Sequence, residues 1–449
     1  MPYGPHTAPD RGRMLDALGV DSIAALFEDI PAAVREHGLD IADAEPELEL
    51  ARRMEMLAAR NRVDLANFLG AGVYYHYIPA AVDQIVSRGE FYTAYTPYQP
   101  EVSQGTLQTI FEYQSMLGEL TGLPVVSASH YDGAAATAEA ALMTIRATGR
   151  ERVLVSRAVH RHYVDATRTY FAGGRHALDE LPTTPAGTTD LDALERALAD
   201  PDRPVAGVIL GQPNAFGLLE PMAEASRLAH AAGARFVAVV EPVSLAVLAP
   251  PGAYGADIAA GEGQPLGISP QYGGPYLGVL ATTDELMRQI PGRLVGRTRD
   301  VDGRRAFVMT LRAREQDIRR DRAASNICTN QALCALAATV YLAVIGPHGL
   351  RDVAANGAAS ARRLEAALAA AGAPRLHTAP YLNEFCVRVP DAPRVHAELL
   401  DRGVLAGLPL ARWFPDDPEL RDALLVCATE VTTDEEIEKF AAALRRILA

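Results

Sequence analysis

The sequence predicts an α/β protein built on a largely parallel sheet, and three observations carry that prediction. Between about 123 and 290, short apolar runs alternate with helical segments, the pattern of a sheet covered on both faces. Proline and glycine gather between about 241 and 275, which collects long loops at one end of that sheet. A second, smaller alternation of strands and helices follows from about 326.

The elements follow in order. Residues 1–65 read as a helical arm, with apolar residues at helical spacing over 21–27 and 47–59. A large α/β domain is expected over 66–325. Near its start, Pro97 and Pro100 make 95–101 extended, because proline forbids helix for itself and disfavours it for its predecessor. Ser103 then suits an N-cap. Leu107, Ile110, Phe111, Leu117 and Leu120 form one helical stripe, which Gly122 closes. Strands are predicted over 152–156, 205–210, 235–240, 256–260 and 278–281, with helices over 191–199 and 222–232. The stretch 292–326 is dense in arginine. With Glu315, Asp317 and Asp321 interleaved it reads as a solvated, salt-bridging surface, or else as an interface for an acidic partner. A long helix over 331–344 opens a smaller C-terminal α/β domain, 326–449. Its strands fall near 383–389 and 424–429 and its helices near 393–402 and 434–448.

Composition narrows the function. With 42 basic against 56 acidic residues, a net charge of −14 and no basic cluster, the chain lacks the footprint of a nucleic-acid binder. No apolar run approaches the roughly 20 residues that span a bilayer, and MPYGPHTAPDRGR lacks the apolar centre of a secretory signal. Cys328, Cys334, Cys386 and Cys427 form no CxxC pair and sit in apolar contexts. They read as buried thiols of a reducing cytoplasm, in preference to zinc ligands or disulfides. Lys439 is the only lysine. It lies off the apolar stripe Ile437, Phe440, Ala441 and Leu444 of its helix, so it faces solvent far in sequence from the sheet crevice.

Several segments suit chemistry. In SHYDGAAATAE (129–139), small residues follow His130 and Asp132 at a helix start. From Gly133 onward, free amides and the helix dipole would face an anion there, and a tight turn built for packing is the plainer alternative. Glu241 follows a central strand at its carboxyl end, where open sheets bind ligands. It suits either the ring nitrogen of a cofactor or the capping of its own loop. His160 and His162 lack companion ligands at metal spacing and read as a helix-start pair. Tyr74, Tyr75, Tyr77, Tyr92, Tyr95 and Tyr98 crowd one region, and the proline-stiffened YTPYQPE within it presents polar groups as site-lining loops do.

YTAYTPYQPEVSQG (92–105), YDGAAATAEA (131–140), GVILGQPNAFGLLEP (207–221), LAPPGAYGADIAAGEGQPLG (248–267), GGPYLGVLAT (273–282) and LRAREQDIRRDRAASNICTN (311–330) together make the chain resemble the P-protein of the glycine cleavage system. This is glycine dehydrogenase (decarboxylating), and the likeness is to subunit 1 of its two-subunit form. The resemblance implies an aspartate-aminotransferase-like fold (type I of the pyridoxal-phosphate enzymes) with a mainly parallel seven-stranded sheet and an N-terminal arm used in dimer contacts. It implies a heterotetramer of two plus two, in which a homologous second subunit carries the cofactor lysine. It also implies decarboxylation of glycine and transfer of its aminomethyl group to the lipoyl arm of H-protein. An imine to pyridoxal phosphate needs a lysine. Where the family places it, after the strand expected at 256–260, this chain reads GEGQPLG, so Gln264 or a neighbour stands there. Relatives commonly have aspartate where this chain has Glu241. His130, Asp132, Gly133, Glu241 and Gln264 are therefore expected to form a degenerate cofactor pocket without covalent cofactor. Tyr95, Thr96, Tyr98, Gln99, Glu101 and Gln104 are expected to reach the partner's site. No metal is implied. The alternative is a structural subunit that only stabilises its partner and docks H-protein.

Overall fold

Thr7 and Asp10 exchange side-chain and backbone hydrogen bonds in a capping box, which starts helix α1 (Ala8–Leu18). The computed structural model describes residues 4–35, 38 and 40–449. They fall into two compact units, Met1–Val63 and Asp64–Ala449. In the first, residues 21–27 give only a tight turn over Ala24–Phe27, while 47–59 gives helix α2 (Glu47–Ala58). Neither α1 nor α2 buries a residue; Leu50, Met54 and Leu57 line one side of α2 in solvent.

The second unit is organised by seven strands: β1 (Val125–Val126), β2 (Arg152–Ser156), β3 (Ala177–Leu181), β4 (Val205–Gln212), β5 (Arg235–Val240), β6 (Ile258–Glu262) and β7 (Gly278–Thr282). Their order is β1-β7-β6-β5-β4-β2-β3, and only β7 runs antiparallel to its neighbours. The inner strands are apolar throughout because both faces are covered. Helices α3 (Gln104–Thr121), α4 (Gly133–Thr148), α5 (Arg161–Phe171), α6 (Leu191–Leu198) and α7 (Met222–Ala231) supply most of the cover. Val237 and Val239 of β5 pack with Ala136, Ala140 and Met143 of α4. The alternate residues Phe236 and Ala238 pack with Ala225 and Ala229 of α7. β3 was not expected: ALDEL carries two acids and reads as polar, but it is an edge strand and needs only one partner, β2. β6 ends at Glu262, two residues beyond the predicted limit.

The arginine-dense stretch is not one solvated surface. It contains a hairpin, β8 (Leu294–Arg299) and β9 (Arg305–Thr310). Val295, Phe307 and Met309 are buried against α3 residues Leu107 and Ile110, while Arg297, Arg299 and Arg305 stay in solvent. Helix α8 (Ala332–Ala370) continues well past its predicted end near 344. Gly346 (φ 61°, ψ −176°) and Pro347 break it at that point, and helix resumes beyond. α8 is long and apolar enough to cross a membrane, but half of the qualifying window is buried within the protein, as in a core helix.

β10 (Glu384–Arg388), β11 (Leu408–Pro409) and β12 (Ala423–Cys427) form an antiparallel sheet in the order β10-β12-β11. Helices α9 (Ala392–Asp401) and α10 (Asp434–Leu448) cover it. Phe68, from the segment after the first unit, stacks on Phe440 of α10 at 4.9 Å. Cys386 and Cys427 are buried in this sheet, but Cys334 is only half-buried and Cys328 is exposed, a correction to the reading of four buried thiols. It follows buried Ile327 in an irregular segment, where one apolar neighbour does not bury the next residue.

Candidate active site

The carboxyl ends of β4, β5 and β6 and the start of α5 meet at a cavity of about 60 Å³. Tyr74, His160, Tyr163, Glu241, Glu262 and Glu384 are among its lining residues. Glu241 accepts the amides of Val243 and Ser244 at 2.8 and 2.7 Å, so it caps its own loop; burial pushes its carboxyl up, with His76 pulling the other way. Glu384 accepts the amide of Ala71 at 2.6 Å and the Tyr74 hydroxyl at 3.0 Å. Burial raises it to about 7.

Glu262 ends β6 with its carboxylate among three backbone donors. Oε2 accepts from Gly133 at 2.9 Å, and Oε1 accepts from Gln264 and Leu277, each at 2.9 Å. Burial pushes this carboxyl up to about 7, against the pull of those amides. Gln264, 1% exposed, is a staple between loops: Oε1 accepts from the Tyr74 amide at 2.9 Å. Its Nε2 donates to the carbonyls of Tyr74 (3.0 Å) and Ile268 (2.6 Å). Asp132 is the N-cap of α4, accepting from Ala135 at 2.7 Å. His130 is fully buried between β7 and the 291–293 turn, and burial drives it down to about 3, so its ring is neutral. His160 sits at the N-cap position of α5 with Nε2 2.8 Å from the Ala71 carbonyl and its ring 4.6 Å from that of Trp413. Among the described residues, no three His, Cys, Asp or Glu side chains converge as metal ligands.

The 95–104 segment lies elsewhere on the second unit and stays largely exposed. Arg293, only 4% exposed, is its anchor. Nη1 donates to the Thr96 hydroxyl at 2.8 Å and Nη2 to the Tyr98 hydroxyl at 2.9 Å, and the guanidinium lies 5.1 Å from the Tyr98 ring centre. The Tyr95 hydroxyl is 3.3 Å from that of Thr329. Gln99 and Glu101 are exposed. Gln104 turns away: it accepts from the Phe307 amide and donates to the carbonyls of Phe307 and Pro100, at 2.9, 2.9 and 2.7 Å. Ser103 stands at the N-cap position of α3 without a side-chain capping bond, and Gln104 ties the helix start to β9.

Sequence reasoning missed Glu262, Glu384 and Arg293, and read Tyr74 only as one of a cluster of tyrosines. The two-residue error at the end of β6 left Glu262 in a loop. Arg293 was hidden among solvated arginines, although its apolar successors Leu294 and Val295 were a signal of burial.

The model of the glycine cleavage system P-protein family matches residues 1–444. The chain belongs to that family. A relative from Moorella thermoacetica, named probable glycine dehydrogenase (decarboxylating) subunit 1, is 52% identical over 452 residues, covering 100% of both chains. One of the same name from Anaeromyxobacter dehalogenans is 48% identical, covering 99% of this chain and 100% of the relative. Among solved structures, a glycine decarboxylase P-protein in inhibitor-bound form matches this chain with a TM-score of 0.90 and 42% identity, covering 100% of each. A Thermococcus onnurineus cysteine desulfurase matches with a TM-score of 0.64 at 15% identity, covering 91% and 99%, a likeness of fold. The chain therefore has the type I fold of pyridoxal-phosphate enzymes.

Proposed function

We propose that this chain is the lysine-free subunit of a two-subunit glycine decarboxylase, assembled two plus two with a lysine-bearing subunit in the cytoplasm. Pyridoxal phosphate in that complex belongs to the partner. There it takes up the electrons left when glycine loses carbon dioxide, and the aminomethyl group passes to lipoylated H-protein. This chain lends the partner's site its 95–104 loop. Thr96 and Tyr98 orient polar groups there, Tyr95, Gln99 and Glu101 present theirs to solvent for the partner to meet, and Gln104 fixes the loop's base. The supporting observation is the anchor: a buried guanidinium holding two hydroxyls on an exposed loop sets their positions. The only lysine, Lys439, is exposed on α10, so the residues lining this chain's own cavity cannot form an imine with the cofactor.

The test is exchange of labelled bicarbonate into the carboxyl of glycine, with pyridoxal phosphate and lipoylated H-protein present. This chain alone and the lysine-bearing subunit alone are expected to be inactive, and the mixture active. Activity from this chain alone would overturn the reading. In the mixture, Glu101→Gln is expected to lower exchange at unchanged thermal stability.

A further inference from the structure

The first amide of α4 is the donor that an anion would use at this end of the sheet. Here that amide belongs to Gly133 and is already taken by Glu262, 8% exposed, whose two oxygens together gather donors from three separate segments: Gly133 at the start of α4, Gln264 beyond β6, and Leu277 before β7. The seat is tight. A Cβ on Gly133 would lie 2.4 Å from the Tyr163 hydroxyl and 2.9 Å from the Glu262 amide. Its surroundings are acidic: Glu241 and Glu384 line the same cavity, Asp132 caps α4 beside it, and among the described residues no arginine or lysine lines it. A phosphate monoester entering here would have to displace a carboxylate from all three amides and then sit among like charges.

We infer that the Glu262 carboxylate is this chain's built-in substitute for the cofactor's phosphate, and that it excludes phosphate-bearing cofactor from this chain independently of the missing lysine. An isolated loss of the lysine would leave a cup able to hold the cofactor non-covalently; a carboxylate that holds the first amide of α4 together with the amides of Gln264 and Leu277 does not. A staple with no other role predicts that removing Glu262 loosens the fold and nothing more. A substitute for phosphate predicts in addition that the vacated amides accept phosphate from solution.

The experiment uses the full chain at pH 8, above the raised carboxyl value of Glu262, which is about 7. Thermal denaturation and calorimetric titration compare wild type, Glu262→Ala and Glu262→Gln in inorganic phosphate and in chloride at equal ionic strength. Pyridoxal 5′-phosphate and pyridoxal serve as a second ligand pair. Wild type is expected to melt at the same temperature in both salts. Glu262→Ala is expected to melt lower in chloride, to recover in phosphate, and to bind phosphate at least about tenfold more tightly than wild type. The same variant should prefer pyridoxal 5′-phosphate to pyridoxal. Glu262→Gln keeps an acceptor oxygen and the fold while removing the charge, and should gain a smaller, few-fold affinity. Wild type binding phosphate as tightly as the variants would overturn the inference. So would a folded variant with no gain, and Glu262→Gln alone decides if Glu262→Ala does not fold. Decarboxylase activity is not read, so failure here leaves the shared-site reading standing, and failure of that reading leaves this one.

Discussion

At the carboxyl end of the central sheet, polar side chains bind the chain's own backbone: Glu262 takes three amides, Glu241 two, and Gln264 spans two loops. In the 95–104 loop the arrangement is inverted. One buried cation, Arg293, holds the hydroxyls of Thr96 and Tyr98, while the Tyr98 side chain remains 45% exposed and Tyr95 71%. In the first region the polar side chains serve internal structure. The second keeps polar groups facing outward and fixed in position, the condition for acting on something another subunit holds. Substitutions in the first should therefore read out in stability, and substitutions in the second in turnover of the assembled enzyme.

The largest expected effect tests the first half. Gln264→Leu leaves the Tyr74 amide, the Tyr74 carbonyl and the Ile268 carbonyl without partners in a buried place. At about 1–3 kcal/mol for each of the three unpaired groups, the loss is roughly 3–9 kcal/mol by chemical denaturation. A loss under about 1 kcal/mol would show that Gln264 is not a staple, and the contrast between the two regions would dissolve.

Arg293→Lys comes next and tests the second half. A lysine cannot reproduce a fork that reaches Thr96 and Tyr98 at once. Exchange turnover in the mixture should fall by roughly 30–100-fold, corresponding to about 2–3 kcal/mol. Equal turnover would remove the loop from the reaction.

The fold was far more legible than the site. Unbroken apolar runs such as VAGVIL and RFVAVV announce strands buried on both faces, and those limits held closely. Segments whose order depends on a neighbour were not legible: β3 reads as polar because it lies at an edge, and the arginine hairpin shows its apolar face only once α3 lies under it. At the site, Glu241, His130, Asp132 and Gly133 were picked out from position along the chain and Gln264 from the family resemblance, and all five lie around the carboxyl end of the sheet. Capping by Glu241 was one of two readings open in the sequence, since its partners Val243 and Ser244 are local; the role of Gln264 was not legible, because its partners include a loop distant in sequence. Gln264 and Tyr74 are 190 residues apart.

A pH experiment sharpens the first region further. Glu384 rises from 4.5 to about 7 in the folded chain, chiefly through burial. The folded state then holds a proton that the unfolded state has released, so its contribution is fully present below about pH 4.5 and is lost as pH rises through about 7. Glu384→Gln lacks this dependence. Between pH 4.5 and 8 wild type should lose stability relative to the variant, by at most roughly 3 kcal/mol. A difference that stays flat, or runs the other way, would mean that Glu384 is ionised when folded.

The smallest effect is the finest test of the second region. Tyr98→Phe deletes one acceptor of the Arg293 guanidinium but keeps the ring 5.1 Å from it, and at a half-exposed position water can take the vacated donor. The stability loss should be about 1 kcal/mol or less. If the hydroxyl only steadies the loop, turnover in the mixture should fall no more than stability does and the KM for glycine should not move. If it orients groups in the partner's site, turnover should fall about fivefold or more at nearly unchanged melting temperature, because an interaction made only in the transition state is lost from kcat and not from folding.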